Sequence, residues 1–163
     1  MLYKVLGSGL LLLASGYVAL SVRRFEHRRL RVLDGYISLI YYIKGQIDCY
    51  AMPLADILAS ADPSVIAACL GLDLTAPLPV PCPLPDMVRE SRLYLEPEAE
   101  RLLTTLTGEL GSTYRAEQVI RCDHYLAALT EERRKLNDTL PARLRATCTL
   151  CICCAIGAAV LLW

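Results

Sequence analysis

The feature that most constrains this chain is a pair of long apolar runs without a single charged residue. One run covers residues 5–22 and the other covers residues 146–163, which is 18 residues each. A helix of that length is about 27 Å long, close to the thickness of the hydrocarbon core of a bilayer. The sequence therefore predicts one transmembrane helix at residues 1–22 and a second at residues 146–163.

Arginines flank both runs on the side that faces the middle of the chain. They are Arg23, Arg24, Arg28, Arg29, Arg31, Arg143 and Arg145. Basic residues beside a membrane span mark its cytoplasmic end, so we expect both termini outside and residues 23–145 inside, as one cytoplasmic domain. A cleaved signal peptide is the alternative for the first run. It is disfavoured because the run leads directly into arginines rather than into a small-residue cleavage site.

Charge and cysteine content exclude other classes of protein. The formal net charge of zero argues against nucleic acid as a partner. Eight cysteines in 163 residues would suit a secreted disulfide scaffold. Four of them, however, lie inside the second apolar run, and the other four show no repeated spacing. We therefore expect reduced thiols in the cytosol or the membrane.

The middle of the chain carries helical patterns and no strand pattern. The spacing of one helix face is repeated by Leu30, Leu33, Ile37, Ile40 and Ile47, and Tyr36, Tyr41 and Tyr42 should broaden that face. A second stripe runs from Val119 to Leu140. Short helices are expected between these two long ones. The predicted fold class is all-α, a helical bundle as the cytoplasmic domain with a transmembrane helix at each end.

Prolines and glycines divide the region between the two stripes. Proline suits the first turn of a helix and Asp is a good N-cap. Helix starts are predicted at Pro53, Asp62-Pro63 and Pro97. Helix ends are predicted at Gly71, Gly108 and Gly111. The proline-rich connection at residues 72–85 should be extended, either as a plain surface connection or as a segment that a partner binds.

No arrangement of residues predicts catalysis, and we expect no enzyme activity, no cofactor and no metal. His27 and His124 lack the spacing of a metal site. The cysteines from Cys148 to Cys154 are the sharpest candidates, because thiolates bind soft metals and Cys-x-x-Cys is a redox spacing. A thiolate in hydrocarbon is costly, so packing of small residues between helices is the favoured interpretation.

A pattern typical of a known family runs through the chain as Leu33-x6-Ile40-x6-Ile47, then Tyr50-x2-Pro53-Leu54-x2-Ile57-Leu58, then Leu106-x3-Leu110-Gly111-Ser112 with Gln118. Seven of these or neighbouring residues serve as its structural markers. They are Tyr50, Pro53, Leu54, Ile57, Gly108, Gly111 and Gln118. Their order, followed by a long charged helix and a terminal apolar run, resembles the stage III sporulation protein AB family over residues 1–60 and 97–163. The chain departs from that pattern at residues 77–85, where prolines replace more continuous helix.

The resemblance implies a non-enzymatic membrane component of the channel between mother cell and forespore, with a domain similar to the F-type domains of type II secretion and type IV pilus platforms. The implied partners are the membrane, a cognate hexameric ATPase and other channel membrane proteins. The implied location is the mother-cell-side membrane around the forespore. The seven residues would be structural markers, and Asp48 and Asp56 either solvated surface residues or partner contacts. The alternative function is a membrane-embedded thiol redox or metal-handling protein that uses Cys148 to Cys154.

Overall fold

The fold of the chain is all-α, as the sequence predicts. A computed structural model describes residues 2–50, 52–72, 83–111 and 114–161, and within these ranges there is no strand. The described helices are α1 (Leu2–Tyr50), α2 (Leu54–Ala59), α3 (Pro63–Cys69), α4 (Leu84–Ser91), a 3-10 turn (Arg92–Tyr94), α5 (Pro97–Glu109) and α6 (Arg115–Leu161).

The chain divides into two compact units. We call Arg28–Leu136 the central unit, and the described parts of Met1–His27 and Asn137–Trp163 the terminal unit. The boundaries between the units are defined by contacts within the fold, whereas the predicted membrane boundaries at residues 22 and 146 are defined by where charged residues stop. The division into units therefore does not test the two predicted transmembrane helices. Trp163, expected at the outer membrane interface, lies outside the described residues.

The core of the central unit is built on one broad face of α1. Of the predicted stripe, Leu33, Ile40 and Ile47 are buried, whereas Leu30 and Ile37 are half-buried. Of the tyrosines expected to broaden it, Tyr36 is buried, Tyr42 is half-buried and Tyr41 is exposed. The sequence pattern missed three more buried side chains at helical spacing: Val32, Leu39 and Ile43. From α6, the same core receives Cys122, Leu126 and Leu129. A stripe this wide is typical of a helix that packs against several neighbours rather than one.

Three ion pairs fix the register of α1 against α6 in the central unit. Asp34 pairs with Arg133, Lys44 Nζ lies 2.6 Å from Asp123 Oδ1, and Asp48 Oδ1 lies 3.6 Å from Arg115. Because residue numbers rise on one helix while they fall on the other, the two helices are antiparallel. Exposed ion pairs contribute little to stability, but these three show which residues of the two helices face each other.

The start and end of α3 confirm the local sequence prediction. The Asp62 carboxylate accepts a hydrogen bond from the backbone N–H of Ser64 at 2.8 Å, and Pro63 occupies the first turn. This hydrogen bonding to Ser64 lowers the pKa of Asp62 below its usual value. Gly71 ends the segment with φ of +65°, a conformation that glycine adopts at little cost.

Two predicted breaks are wrong in position. α4 begins at Leu84, within the stretch predicted to be extended, and Pro85 lies in its first turn. A proline there loses no hydrogen bond, which the prediction overlooked. Gly108 lies inside α5, which ends at Glu109, so that predicted break is wrong, whereas the chain turns at Gly111, the other predicted break, with φ of +86°. Residues 73–82, the rest of the predicted extended segment, lie outside the described residues.

Two close contacts hold α1 against the shorter helices. A Cβ atom on Gly35 would lie 2.8 Å from the backbone nitrogen of Cys69, so α1 and α3 approach as closely as glycine allows. At the next position of α1, the Tyr36 hydroxyl forms a 2.7 Å hydrogen bond with the Ser91 hydroxyl. Both residues are fully buried, and burial raises the pKa of Tyr36 above its usual value, against the opposing effect of Ser91.

Candidate partner-binding groove

A groove of about 280 Å³ lies at one end of the central unit. It forms because α1 and α6 are antiparallel, which brings the C-terminal end of α1 beside the N-terminal end of α6. The start of α2, together with Leu110 and Gly111 after α5, closes its remaining sides. The groove is lined by Ile47, Met52, Pro53, Leu54, Leu110, Gly111, Arg115 and Gln118.

Four of the seven family-pattern residues meet in this groove. Pro53 and Leu54 come from the start of α2, and Gly111 and Gln118 come from the connection to α6 and from its first turns. The two stretches are distant in sequence, so only the tertiary fold brings them together. The convergence makes the groove the candidate functional site.

The other three pattern residues lie outside the groove lining. Ile57 is fully buried and holds α2 against the core. Tyr50, at the end of α1, is 71% exposed. Gly108 is exposed on α5, and a Cβ atom there would meet nothing within 4 Å, so no close approach requires glycine at that position.

Local backbone structure explains two of the lining residues. The Pro53 carbonyl accepts hydrogen bonds from the backbone N–H groups of Asp56 and Ile57, at 3.0 and 3.1 Å, and so begins α2. Gly111 has a left-handed φ of +86°, which lets the chain reverse after α5. The groove is thus formed at two turns whose residue types are determined by backbone geometry.

The groove is apolar on most sides, with a cation at its edge. Its polar side chains are Arg115 and Gln118, and the Arg115 guanidinium lies 3.6 Å from the Asp48 carboxylate. The lining residues include no nucleophile beside a general base. Such a surface suits an apolar side chain of a protein partner, oriented by a few hydrogen bonds.

A second depression adjoins the first at Leu54. Its volume is about 420 Å³ and its lining is apolar apart from Thr107, whose hydroxyl donates to the Thr104 carbonyl at 2.8 Å. The lining residues are Leu54, Ala55, Leu58, Ala59, Pro83, Leu84, Pro85 and Thr107. Leu54 therefore forms a half-buried ridge between two concave surfaces.

Of the two acidic residues predicted as possible partner contacts, Asp56 is exposed on α2 and Asp48 pairs with Arg115.

The sequence interprets seven arginines alike, as residues that set membrane topology, but the structure places them in two units and in different surroundings. Arg29 is only 11% exposed, and its guanidinium lies 2.7 Å from Glu96. The Arg28 guanidinium lies 5.9 Å from the centre of the Tyr94 ring. These two therefore stabilise the central unit, whereas Arg31 is exposed there. The arginines of the terminal unit, all exposed, are Arg23, Arg24, Arg143 and Arg145.

The sequence pattern missed the tertiary role of Arg28 and Arg29 because their partners lie more than 60 positions away. No helical spacing connects them to Tyr94 or Glu96. The only available signal was the position of both arginines at the start of the α1 apolar stripe. An arginine there lies at the edge of the core, where a partner from another helix is within reach.

The cysteines of α6 form no metal site among the described residues. Cys148, Cys153 and Cys154 are exposed and Cys151 is half-buried. Where the structure describes the chain, no group of three or more His, Cys, Asp or Glu side chains is placed to hold a metal ion. The terminal helix segment carries these thiols on several faces rather than aiming them at one point.

Comparisons with known proteins add no relative. No family model, no curated protein and no solved structure matches this chain. The resemblance to the stage III sporulation protein AB family therefore stays a prediction that depends on the order of the motifs.

One described helix is long and apolar enough to cross a membrane. It lies within Arg115–Gly157, and only 11% of its most apolar 18-residue window is buried. The core helix of a soluble protein also passes this test of length and composition, but such a helix is mostly buried. An apolar helix segment that the rest of the protein does not cover is the kind of segment that lipid can surround. This suggests membrane association, while the first span and the topology stay predictions.

Proposed function

We propose that the protein is a non-enzymatic membrane assembly platform of a sporulation channel with secretion-like architecture. The terminal unit anchors it in the mother-cell-side membrane around the forespore, beside other channel membrane proteins, with both termini outside. The central unit docks a cognate cytoplasmic hexameric ATPase at the groove. The observation that carries the proposal is the convergence of Pro53, Leu54, Gly111 and Gln118 on that groove.

The surroundings of the groove support binding of a protein. Met52 lines it and is 39% exposed, and Tyr50 and Tyr114, each within two positions of a lining residue, are 71% and 89% exposed. Large exposed tyrosines are enriched at protein interfaces because they bury much area with few rotatable bonds. Arg115 adds a side chain that can donate hydrogen bonds to a carboxylate of the partner.

The described apolar surface supports the membrane anchor. Leu10, Leu13 and Leu20 on α1 are exposed, as are Leu150 and Ile156 on α6. Exposed leucine and isoleucine repeated over several turns of a helix are costly in water. In a bilayer the same side chains face hydrocarbon, and the arginines that follow or precede them remain at the cytoplasmic interface.

The deciding experiment is co-purification of the cognate ATPase with the full chain from solubilised membranes. Met52→Asp places a charge in the groove at a loop position, so we expect at least about tenfold less ATPase, the effect of losing one interface hot spot. Leu93→Asp is the matched control, because Leu93 is exposed and lies outside the groove lining. Equal recovery of the ATPase with both variants would show that the groove is not the docking site.

The topology and the thiol alternative have their own tests. Reporters fused after Arg31 and after Trp163 should lie on opposite sides of the membrane, and a shared side would overturn the proposed architecture. For the thiol alternative, Cys148, Cys151, Cys153 and Cys154 are replaced together by Ala. We expect unchanged spore formation, whereas its loss in a normally abundant variant would favour redox or metal chemistry.

A further inference from the structure

The two units differ in how their positive charges are balanced. In the central unit, at least ten of the twelve basic side chains form ion pairs with carboxylates: Arg29, Lys44, Arg89, Arg92, Arg101, Arg115, Arg121, Arg133, Arg134 and Lys135. In the terminal unit, the guanidinium groups of Arg23, Arg24 and Arg145 are exposed and form no ion pair with any described residue.

The net charge of zero conceals this difference. The central unit has 12 basic and 15 acidic side chains, a difference of −3. The terminal unit has 5 basic and 2 acidic side chains, a difference of +3. The excess positive charge is therefore concentrated on the unit that also exposes the most apolar surface.

The three uncompensated arginines adjoin exposed apolar side chains in the sequence of each helix. Val18 and Leu20 precede Arg23 and Arg24 on α1, and Leu150 follows Arg145 on α6, and all three apolar side chains are exposed. This order matches a bilayer, in which hydrocarbon gives way to headgroups. A guanidinium group donates two parallel hydrogen bonds to a phosphate, which an ammonium group cannot match in geometry.

We propose that Arg23, Arg24 and Arg145 bind the phosphates of anionic phospholipids, such as phosphatidylglycerol, in preference to zwitterionic lipids. The inference rests on the proposed membrane anchor and adds the class of lipid that the anchor selects. A zwitterionic headgroup carries its own cation beside the phosphate, whereas an anionic headgroup leaves the phosphate charge for the arginines to neutralise. The arginines thus contribute lipid selectivity as well as topology.

The test uses the full chain reconstituted in phosphatidylcholine vesicles that contain a few per cent of spin-labelled lipid. The fraction of label immobilised by the protein is compared between labelled phosphatidylglycerol and labelled phosphatidylcholine. We expect a clear preference for phosphatidylglycerol, a loss of roughly fivefold in that preference for each arginine removed, and a decline as salt rises from about 0.1 to 0.5 M.

The variant Arg23→Gln/Arg24→Gln/Arg145→Gln should abolish the preference. Its matched control is Arg89→Gln/Arg92→Gln/Arg101→Gln, which removes the same charge from arginines of the central unit that are similarly exposed but paired. The control should keep the preference of the original protein. The inference is wrong if the original protein shows no preference, if the terminal variant keeps it, or if both variants lose it equally.

Two further measurements distinguish lipid binding from binding of a soluble phosphate and from loss of the anchor. If glycerol 3-phosphate displaces the labelled phosphatidylglycerol at constant ionic strength, the site binds a soluble phosphate and the lipid inference is wrong. Extraction of the reconstituted protein by alkaline carbonate would overturn the membrane anchor itself. If the protein stays in the membrane after carbonate treatment but shows no lipid preference, only the lipid inference is wrong. Failure of the membrane anchor and failure of lipid selectivity are therefore distinguishable.

Discussion

The central and terminal units use the same two long helices in different ways. In the central unit, α1 and α6 carry apolar residues on one face and bury them, and almost every cation has a carboxylate partner. In the terminal unit, the helices are apolar on several faces, and leucines and arginines remain exposed. The comparison teaches that the distribution of apolar residues around a helix, rather than helix formation itself, decides its environment. Two measurements test this comparison, and a third tests the packing of the central unit itself.

The largest expected difference is in thiol reactivity, measured with a membrane-impermeant maleimide on inside-out membrane vesicles, which expose the cytoplasmic side, in a Cys82→Ser background. Cys49 is exposed on the central unit and should react readily. Burial raises the pKa of the Cys69 thiol to about 12, which leaves roughly a thousandth of the thiolate of an ordinary cysteine, so Cys69 should react at least that much more slowly.

The cysteines of the terminal unit sharpen this test. Cys148, Cys153 and Cys154 are exposed in the protein, so their reaction depends on what surrounds the terminal unit. We expect labelling after denaturation and none in intact membranes, where lipid covers them. Labelling of Cys153 in intact membranes at the rate of Cys49 would place this unit in water and remove the contrast between the units.

The second expected difference is in free energy of unfolding, measured by urea titration of the full chain in detergent. Leu129 and Leu150 both lie on α6, but Leu129 is fully buried and Leu150 is 66% exposed. Leu129→Ala should cost about 2–5 kcal/mol because it leaves a cavity, whereas Leu150→Ala should cost less than about 0.5 kcal/mol. Similar costs at both sites would mean that the terminal unit has a protein core of its own.

The third and smallest expected effect compares one substitution at two positions of α1. A methyl group on Gly35 would contact the backbone of α3 at 2.8 Å, while one on Gly45 would contact nothing within 4 Å. Gly35→Ala should destabilise the central unit by about 1–3 kcal/mol. Gly45→Ala should stabilise it by about 0.5–1 kcal/mol through helix propensity. Thermal denaturation followed by circular dichroism measures both, and equal signs would contradict the close approach of α1 and α3.

Local sequence signals account for much of the fold. Asp62, Pro63 and Gly71 predict the bounds of α3, because capping and left-handed geometry involve only neighbouring residues. The same reasoning missed α4, since it treated every proline of the 72–85 stretch as a helix breaker. Pro85 is tolerated because the first turn of a helix has no hydrogen bond for it to remove.

The candidate site was predicted only in part. The sequence identifies Pro53, Leu54, Gly111 and Gln118 as pattern residues, but it contains no signal that they meet. Ile47, Met52, Leu110 and Arg115 complete the groove lining. Ile47 and Leu110 belong to the family pattern but were not chosen as markers, and the sequence assigned no role to Met52 or Arg115. Their proximity follows from the antiparallel pairing of α1 with α6, a contact between residues 67 to 99 positions apart.

The sequence alone determined that this chain is helical, that its ends are apolar and that its arginines lie beside those ends. Each of these properties depends on residue type and spacing within a few turns of helix. Only the tertiary structure decided which arginines contact Glu96 and Tyr94 and which remain exposed, and which turns form the groove. Those outcomes depend on contacts between distant segments, and the geometry of such contacts is not encoded in any local pattern.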